Sequence, residues 1–410
     1  MSLDIYLYGE RIGELQATEG GGYQLAYSAE RLEGFGEWGA VLSNALPGSE
    51  EPYSPDATRA YVEGLLPEGR RRARIAAELG IEPDDGYSLI AELGRDCPGA
   101  VTFRPPDETA PKGQGHSTAW LDDVELEELV VPEPQGLLDP EREERMRFTL
   151  PGRRHKLSLV RAGRGSRWAW PSHGTPSTHV IKPEGEEHPE MVANEMFCTT
   201  VAREAGLLVP RMTVETIAGR RCLVSERFDR EVEGPETEPF HQESFCQALG
   251  LTPDSSPGFA ESCGLLRATG EEQSITLLIA AAICHYLLGN GDVHGTNFGL
   301  LFAYEGAVLA PFYDVSSTVV YGDPVHTGLT IAAEYSEQAS MSDLAMIAEE
   351  CGVSTEHCRN VAGNMAERVS GALLPAAVLA KAEGWEAPVI EGVMEIASER
   401  CLALAEEVEA

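Results

Sequence analysis

An aspartate, Asp292, and an asparagine, Asn297, stand five positions apart in the glycine-rich run GNGDVHGTNFG. A second aspartate, Asp314, follows seventeen positions later in the run APFYDV. Hard oxygen donors of this kind suit magnesium, which keeps substrate phosphate in its shell, and a carboxylate among them can take the proton of an attacking hydroxyl. The chemistry is phosphoryl transfer, which asks a protein for positioning more than for covalent partners. Two other readings of the run stay open when it is taken alone. Asn-Gly and Gly-Asp pairs are frequent turn formers, and Asp292 with His294 has the D-x-H spacing of a hydrolytic metal site, although no HExxH motif accompanies it.

The other parts that phosphoryl transfer needs come earlier in the chain. The turn TLPGRRHK, Thr149 to Lys156, lies between strand-like runs, and Gly152, Arg153, Arg154, His155 and Lys156 could direct amides and cations at phosphate. Residues 146–181 carry seven Lys/Arg and no Asp or Glu in a chain with 67 acidic residues, which reads as a seat for a polyanion or as one face of a surface sheet. Lys182 ends the strand-like run THVIK. Thirteen residues on, Glu195 sits beside Met191 and Cys198 on the apolar side of a helical pattern, where a carboxylate is costly unless a cation meets it, and Lys182 is the natural partner. The run from Arg221 to Glu226, leading into Arg227 and Phe228, could set backbone groups against an adenine edge.

These residues must be carried by a multi-domain framework, because single cores stop growing at roughly 250–300 residues and the chain has 410. Residues 3–28 alternate and turn, predicting a small β-meander. Two helices follow, the first capped at Ser54-Pro55, the second basic and closed by Gly80. The stretch 106–145 holds twelve Asp/Glu against three Lys/Arg and five prolines, and reads as a solvated acidic connector with at most one short helix. Strand-like runs KLSLV, THVIK, RMTVETI and RCLVSERF occupy 146–236, interrupted by the Pro189 to Ala205 helix. From 237 to the end the pattern is helical apart from a short hairpin at Leu300 to Leu309.

The net charge of −36 repels nucleic acid and anionic membrane, so no direct nucleic-acid or membrane binding is expected; the bland reading of the acidity is solubility or a saline habitat. Nine cysteines without a CxxC pair suit reduced thiols in a cytoplasmic protein. The apolar run Ile275 to Leu288 is too short to span about 30 Å of hydrocarbon and contains His285, so it reads as a core helix.

In order and in wording, these stretches resemble the HipA-like serine/threonine kinases of bacterial toxin–antitoxin modules. GLLPEGRRRARIA and GRDCPGAV resemble that family's N-terminal subdomain. FTLPGRRHKLSLV, THVIKPE, ANEMFCTTVAREAGL and LVSERFDR resemble its kinase N-lobe, and FHQESFCQALG, LLGNGDVHGTNFGLL and APFYDVSS its helical C-lobe. The resemblance implies an α+β, two-lobed protein-kinase-like fold: an extra N-terminal α/β subdomain at 1–105, the connector at 106–145, an N-lobe at 146–236 and an all-helical C-lobe at 237–410. It implies ATP and Mg²⁺ as cofactors, Asp292 as catalytic base, Asn297 and Asp314 as metal ligands, and Gly152 to Lys156 as the phosphate loop. Lys182 would bind phosphate with Glu195 as its partner, and Glu226 with Phe228 would contact adenine. Thr149 matches a position of autophosphorylation where serine is usual; Arg154 replaces a common glutamine and Thr296 a frequent lysine. The implied activity is phosphorylation of a translation-machinery protein such as an aminoacyl-tRNA synthetase, with a small DNA-binding HipB-like antitoxin as neutralising partner. A catalytically idle, partner-bound corepressor and a small-molecule kinase are the alternatives.

Overall fold

The computed structural model describes residues 2–19, 22–34, 42–108, 120–131, 148–161, 167–171, 175–233, 236–303, 306–323, 329 and 338–410. The chain forms two compact units: residues 1–183, 216–254 and 300–305 make the first, and 184–215, 255–299 and 306–410 the second.

The first unit opens with an antiparallel sheet in the order Tyr23–Tyr27, Glu10–Ala17, Ser2–Leu7, Val101–Arg104. Period-two alternation sends Leu3, Ile5 and Leu7 inward, and they meet Leu15, Leu25 and Phe103 from neighbouring strands. Three helices, Pro55–Glu63, Gly69–Leu79 and Gly86–Leu93, close that core with Tyr61, Ala76, Leu89 and Ile90. Ser54 caps the first of them by accepting from the Ala57 amide, and Gly80 ends the second in the left-handed region. The meander and both helix boundaries therefore fall where the sequence places them.

A second sheet in the same unit runs in the order Trp168–Ala169, Leu157–Arg161, His179–Pro183, Arg220–Glu226. Its core contains Leu157, Leu159, Trp168, Ile181 and Val224. Most of 106–145, read as the acidic connector, lies outside the described residues. The described part forms one helix, Asp123–Leu129, with a capping box between Asp122 and Glu125, and buries Leu126 and Leu129 in the core of this sheet. An acidic exterior here hides an apolar seam.

What joins the two sheets is a charge cluster. Arg227 and Arg230 both reach Asp229, at 2.7 and 2.9 Å, and Arg230 also reaches Asp96 at 3.2 Å. Both guanidiniums donate to the Cys97 carbonyl, the Gly99 amide donates to Asp229, and the Ser177 hydroxyl donates to Asp96. All four ionic side chains are buried. Burial acts to raise the Asp229 pKa, but Arg227 and Arg230 overcome it and hold the carboxyl well below the usual range.

The second unit is built on helices Met191–Glu204, Phe259–Ala268, Ile275–Leu287, Met341–Cys351, Thr355–Glu383 and Val389–Glu409, and includes the short strand Gly306–Leu309. Ile275–Leu287 is buried along nearly its whole length and packs on Thr355–Glu383, whose inward positions Cys358, Ala362, Met365, Ala366, Val369 and Leu373 recur at three- and four-residue steps. All nine cysteines are buried thiols. Among the described residues no helix is long and apolar enough to cross a membrane.

Candidate active site

The residues singled out from sequence fall into two groups, one in each unit. Asp292, Asn297, Asp314 and Glu195 belong to the second. The buried helix Ile275–Leu287 delivers the chain to Gly289, whose φ of +75° and whose contact with Ser317, 2.8 Å from where a Cβ would lie, admit only glycine without strain. The Gly289 carbonyl accepts from the amides of Thr318 and Val319, each at 3.0 Å, so the loop that begins here is tied to the segment following Asp314.

Three side chains complete that tie. Asn290 lies with its amide nitrogen 3.0 Å from His285 Nδ1 and 3.2 Å from the Asp314 carbonyl, while its Oδ1 accepts from the Asp292 amide at 3.1 Å. Burial pushes His285 down to about 4, against the pull of Asp314, so the ring is neutral and takes the Asn290 proton on Nδ1. The Tyr313 hydroxyl donates to the Thr296 carbonyl at 2.6 Å. Asn194 exchanges two hydrogen bonds with the Ser317 backbone, both at 2.8 Å, and so holds the Met191–Glu204 helix, with buried Glu195 beside it, to the same segment.

The three oxygen-bearing residues differ in setting. Asp292 is exposed, with His294 Nε2 3.6 Å from its Oδ1. Asn297 is buried, and its Oδ1 accepts from the His294 amide at 3.0 Å. Asp314 has φ +55°, one of four non-glycine residues described with positive φ. A left-handed aspartate costs on the order of 1 kcal/mol or more, and such strain persists where surrounding bonds over-determine it. Here Asn290, Tyr313 and Asn194 supply those bonds.

In the first unit, Lys182 pairs with Leu223 across neighbouring strands, and Ile181 pairs with Val224. Since Ile181 and Val224 enter the core, alternation turns Lys182 and Leu223 to the other face. Glu226 is exposed at the end of its strand and Phe228 is half-buried beyond it.

The loop Thr149 to Lys156 is seated on the segment that precedes the Gly69–Leu79 helix. Pro67 bridges Gly152, the Glu68 carboxylate accepts from the Gly152 amide at 2.9 Å, and Arg71 donates to the Leu150 carbonyl at 2.6 Å. Thr149 is fully buried and donates its hydroxyl to the Leu65 carbonyl. Gly152 has φ +100°, and Lys156 folds back to donate to the Pro151 carbonyl at 2.8 Å. His155 contacts the Leu129 carbonyl at 2.8 Å, and burial lowers its pKa to about 4. The cations of this loop are thus Arg153, Arg154 and Lys156, with His155 neutral at ordinary pH. Sequence reasoning passes over Asn194, Asn290, Tyr313 and Glu68. A side-chain amide on the buried stretch of the Met191–Glu204 helix is the signal that could have raised Asn194.

A β-rich unit with a basic glycine turn, and a helical unit in which the Asp292–Asn297 loop is hydrogen-bonded to the segment of a left-handed Asp314, suit a protein-kinase-like fold. The model of the HipA-like C-terminal domain matches residues 148–373, and that of the HipA N-terminal domain matches residues 3–104. The protein named "Putative kinase Y4mE" of Sinorhizobium fredii is 33% identical over 335 residues, covering 78% of each chain. The serine/threonine-protein kinase toxin HipA of Shewanella oneidensis is 25% identical over 353 residues, covering 79% of this chain and 76% of the relative. The solved complex of Shewanella oneidensis HipA with HipB and operator DNA contains a chain that superposes with a TM-score of 0.78 at 21% identity, over 99% of this chain and 96% of that one. The chain belongs to the HipA family, and its fold is the α+β kinase-like fold of that family.

Proposed function

We propose that the chain is an ATP-dependent serine/threonine protein kinase that acts as a toxin on a protein of the translation machinery. The observation that carries the reading is the bonding of the Asp292–Asn297 loop to the Asp314 segment through Asn290 and Tyr313. Under it, Asp292 orients a serine or threonine hydroxyl and accepts its proton, while Asn297 and Asp314 offer oxygens to Mg²⁺. Both suit that ion: Asn297 Oδ1 takes one backbone amide and keeps a second lone pair, and the strained backbone at Asp314 is held by its neighbours. Lys182, with Glu195 as its partner, and the Gly152 to Lys156 loop would hold the phosphates; Glu226 and Phe228 would hold the adenine. Magnesium-bound ATP supplies the γ-phosphoryl group and charge neutralisation around it.

The partner in this reading is a small DNA-binding, HipB-like antitoxin, supported by the family and by the charge of −36, which leaves basic surface to the partner. One observation favours an idle corepressor instead: a carboxylate, Glu68, already occupies the Gly152 amide. Incubation with labelled ATP and a cell lysate separates the two. The kinase reading expects Mg²⁺-dependent phosphate incorporation into protein that Asp292→Asn abolishes; label incorporated equally by that variant would eliminate it.

A further inference from the structure

Asp292 is surrounded by a polar chain that the roles above leave unused. His294 Nδ1 lies 2.6 Å from the Thr296 hydroxyl, and His294 Nε2 lies 3.6 Å from Asp292 Oδ1. Thr296 in turn is fixed from below, because its carbonyl accepts from Tyr313. The far end of the chain is fixed as well, since the Asp292 amide donates to Asn290.

We infer that His294 is a positioning residue for the Asp292 carboxylate and that the Thr296 hydroxyl sets the tautomer in which His294 does this. The inference rests on the kinase reading. A hydroxyl donating to Nδ1 leaves the ring proton on Nε2, the nitrogen that faces the carboxylate. An exposed aspartate is otherwise free to turn about its side-chain torsions. A donor on Oδ1 fixes one oxygen and leaves Oδ2 aimed at the acceptor hydroxyl. The separation of 3.6 Å exceeds a hydrogen bond; contacts to a general base commonly shorten when substrate is bound. The competing role, a bond that merely shapes the turn, makes a different prediction. Asn297 is held by the backbone amide of His294 rather than by its ring, so removing the ring leaves the metal-ligand side of the loop bonded as before.

The test measures Mg²⁺·ATP hydrolysis by the full chain, with water as acceptor, together with ATP affinity by calorimetry. His294→Ala and Thr296→Val should lower kcat by roughly 10- to 100-fold, the cost of a misaimed catalytic group, with KM and Kd for ATP within about twofold of wild type. Thr296→Ser, which keeps the hydroxyl, should recover the activity that Thr296→Val loses. Thr296→Val hydrolysing at the wild-type rate overturns the inference, as does a KM that rises in step with the fall in kcat. Wild-type protein that neither releases phosphate nor labels protein in the lysate assay, or an Asp292→Asn variant as active as wild type, removes the kinase reading and the inference with it.

Discussion

The hydroxyl of Tyr313 donates to the carbonyl of Thr296 at 2.6 Å, so the residue before Asp314 is bonded to the residue before Asn297. One phenol thereby couples the positions of two candidate metal ligands that are seventeen residues apart in sequence. Tyr313→Phe keeps the ring and strands the carbonyl. The expected cost is about 1 kcal/mol of stability, a shift of a few degrees in the melting midpoint of the second unit, with weaker Mg²⁺ dependence of ATP binding. A variant whose Mg²⁺ titration overlays that of wild type would show that the bond does not position the ligands.

In the proposed kinase reading, a nucleotide phosphate would have to displace Glu68 from the Gly152 amide, which the carboxylate now accepts from. Replacing the carboxylate by alanine frees that amide and removes an anion from beside Arg153, which lies 4.0 Å from Glu68. Glu68→Ala should therefore bind Mg²⁺·ATP severalfold more tightly at low ionic strength, with the gain shrinking as salt is added. Unchanged or weaker affinity would mean that the loop does not exchange Glu68 for nucleotide.

How much of this could be read in advance depended on the range of the interaction. The Ile275–Leu287 helix and the strand His179–Pro183, which carries Lys182, are local: apolar runs and alternation specify them. Asp292, Asn297 and Asp314 stand out by side-chain type, since magnesium chemistry restricts the choice of candidates. Asn194 and Ser317, 123 residues apart, do not. Their bond joins a side chain to a distant backbone, and sequence periodicity carries no record of such a pair. Glu68 reads locally as an ordinary residue at a helix start; its partner is 84 residues away. Leu126 and Leu129 were hidden differently, by acidic neighbours that mask a short apolar seam.

The buried cluster of Asp96, Arg227, Asp229 and Arg230 makes an asymmetric prediction. The intact set balances two carboxylates against two guanidiniums. Asp229→Asn leaves Arg227 and Arg230 with one carboxylate between them in a dry site, which should cost about 3–5 kcal/mol. Urea unfolding of the first unit reads this directly. A loss under 1 kcal/mol would mean that water reaches the cluster and that the two sheets are held by their apolar contacts alone.

Glu243 gives the pH dependence its sign. Burial raises its pKa to about 7 from the ordinary 4.5, with bonds from the Ser43 hydroxyl and the Asn44 amide opposing the rise. The folded chain therefore binds a proton that the unfolded chain has released between these two values, and its contribution to stability declines as pH climbs from about 4.5 to 7. The buried histidines act the other way. His155, His241 and His285, each lowered to about 4 mainly by burial, cost stability as pH falls below their ordinary 6.5. A difference measurement isolates the glutamate. In Glu243→Gln the amide oxygen can accept from Asn44 and the amide nitrogen can donate to Ser43, whose hydroxyl is also 3.3 Å from the Gln247 carbonyl. The variant thus mimics the protonated acid at every pH. It should match wild type near pH 4.5 and exceed it by a margin of order 3 kcal/mol above pH 7, measured as unfolding free energies in urea across that range. Parallel curves would place the Glu243 carboxylate in contact with water.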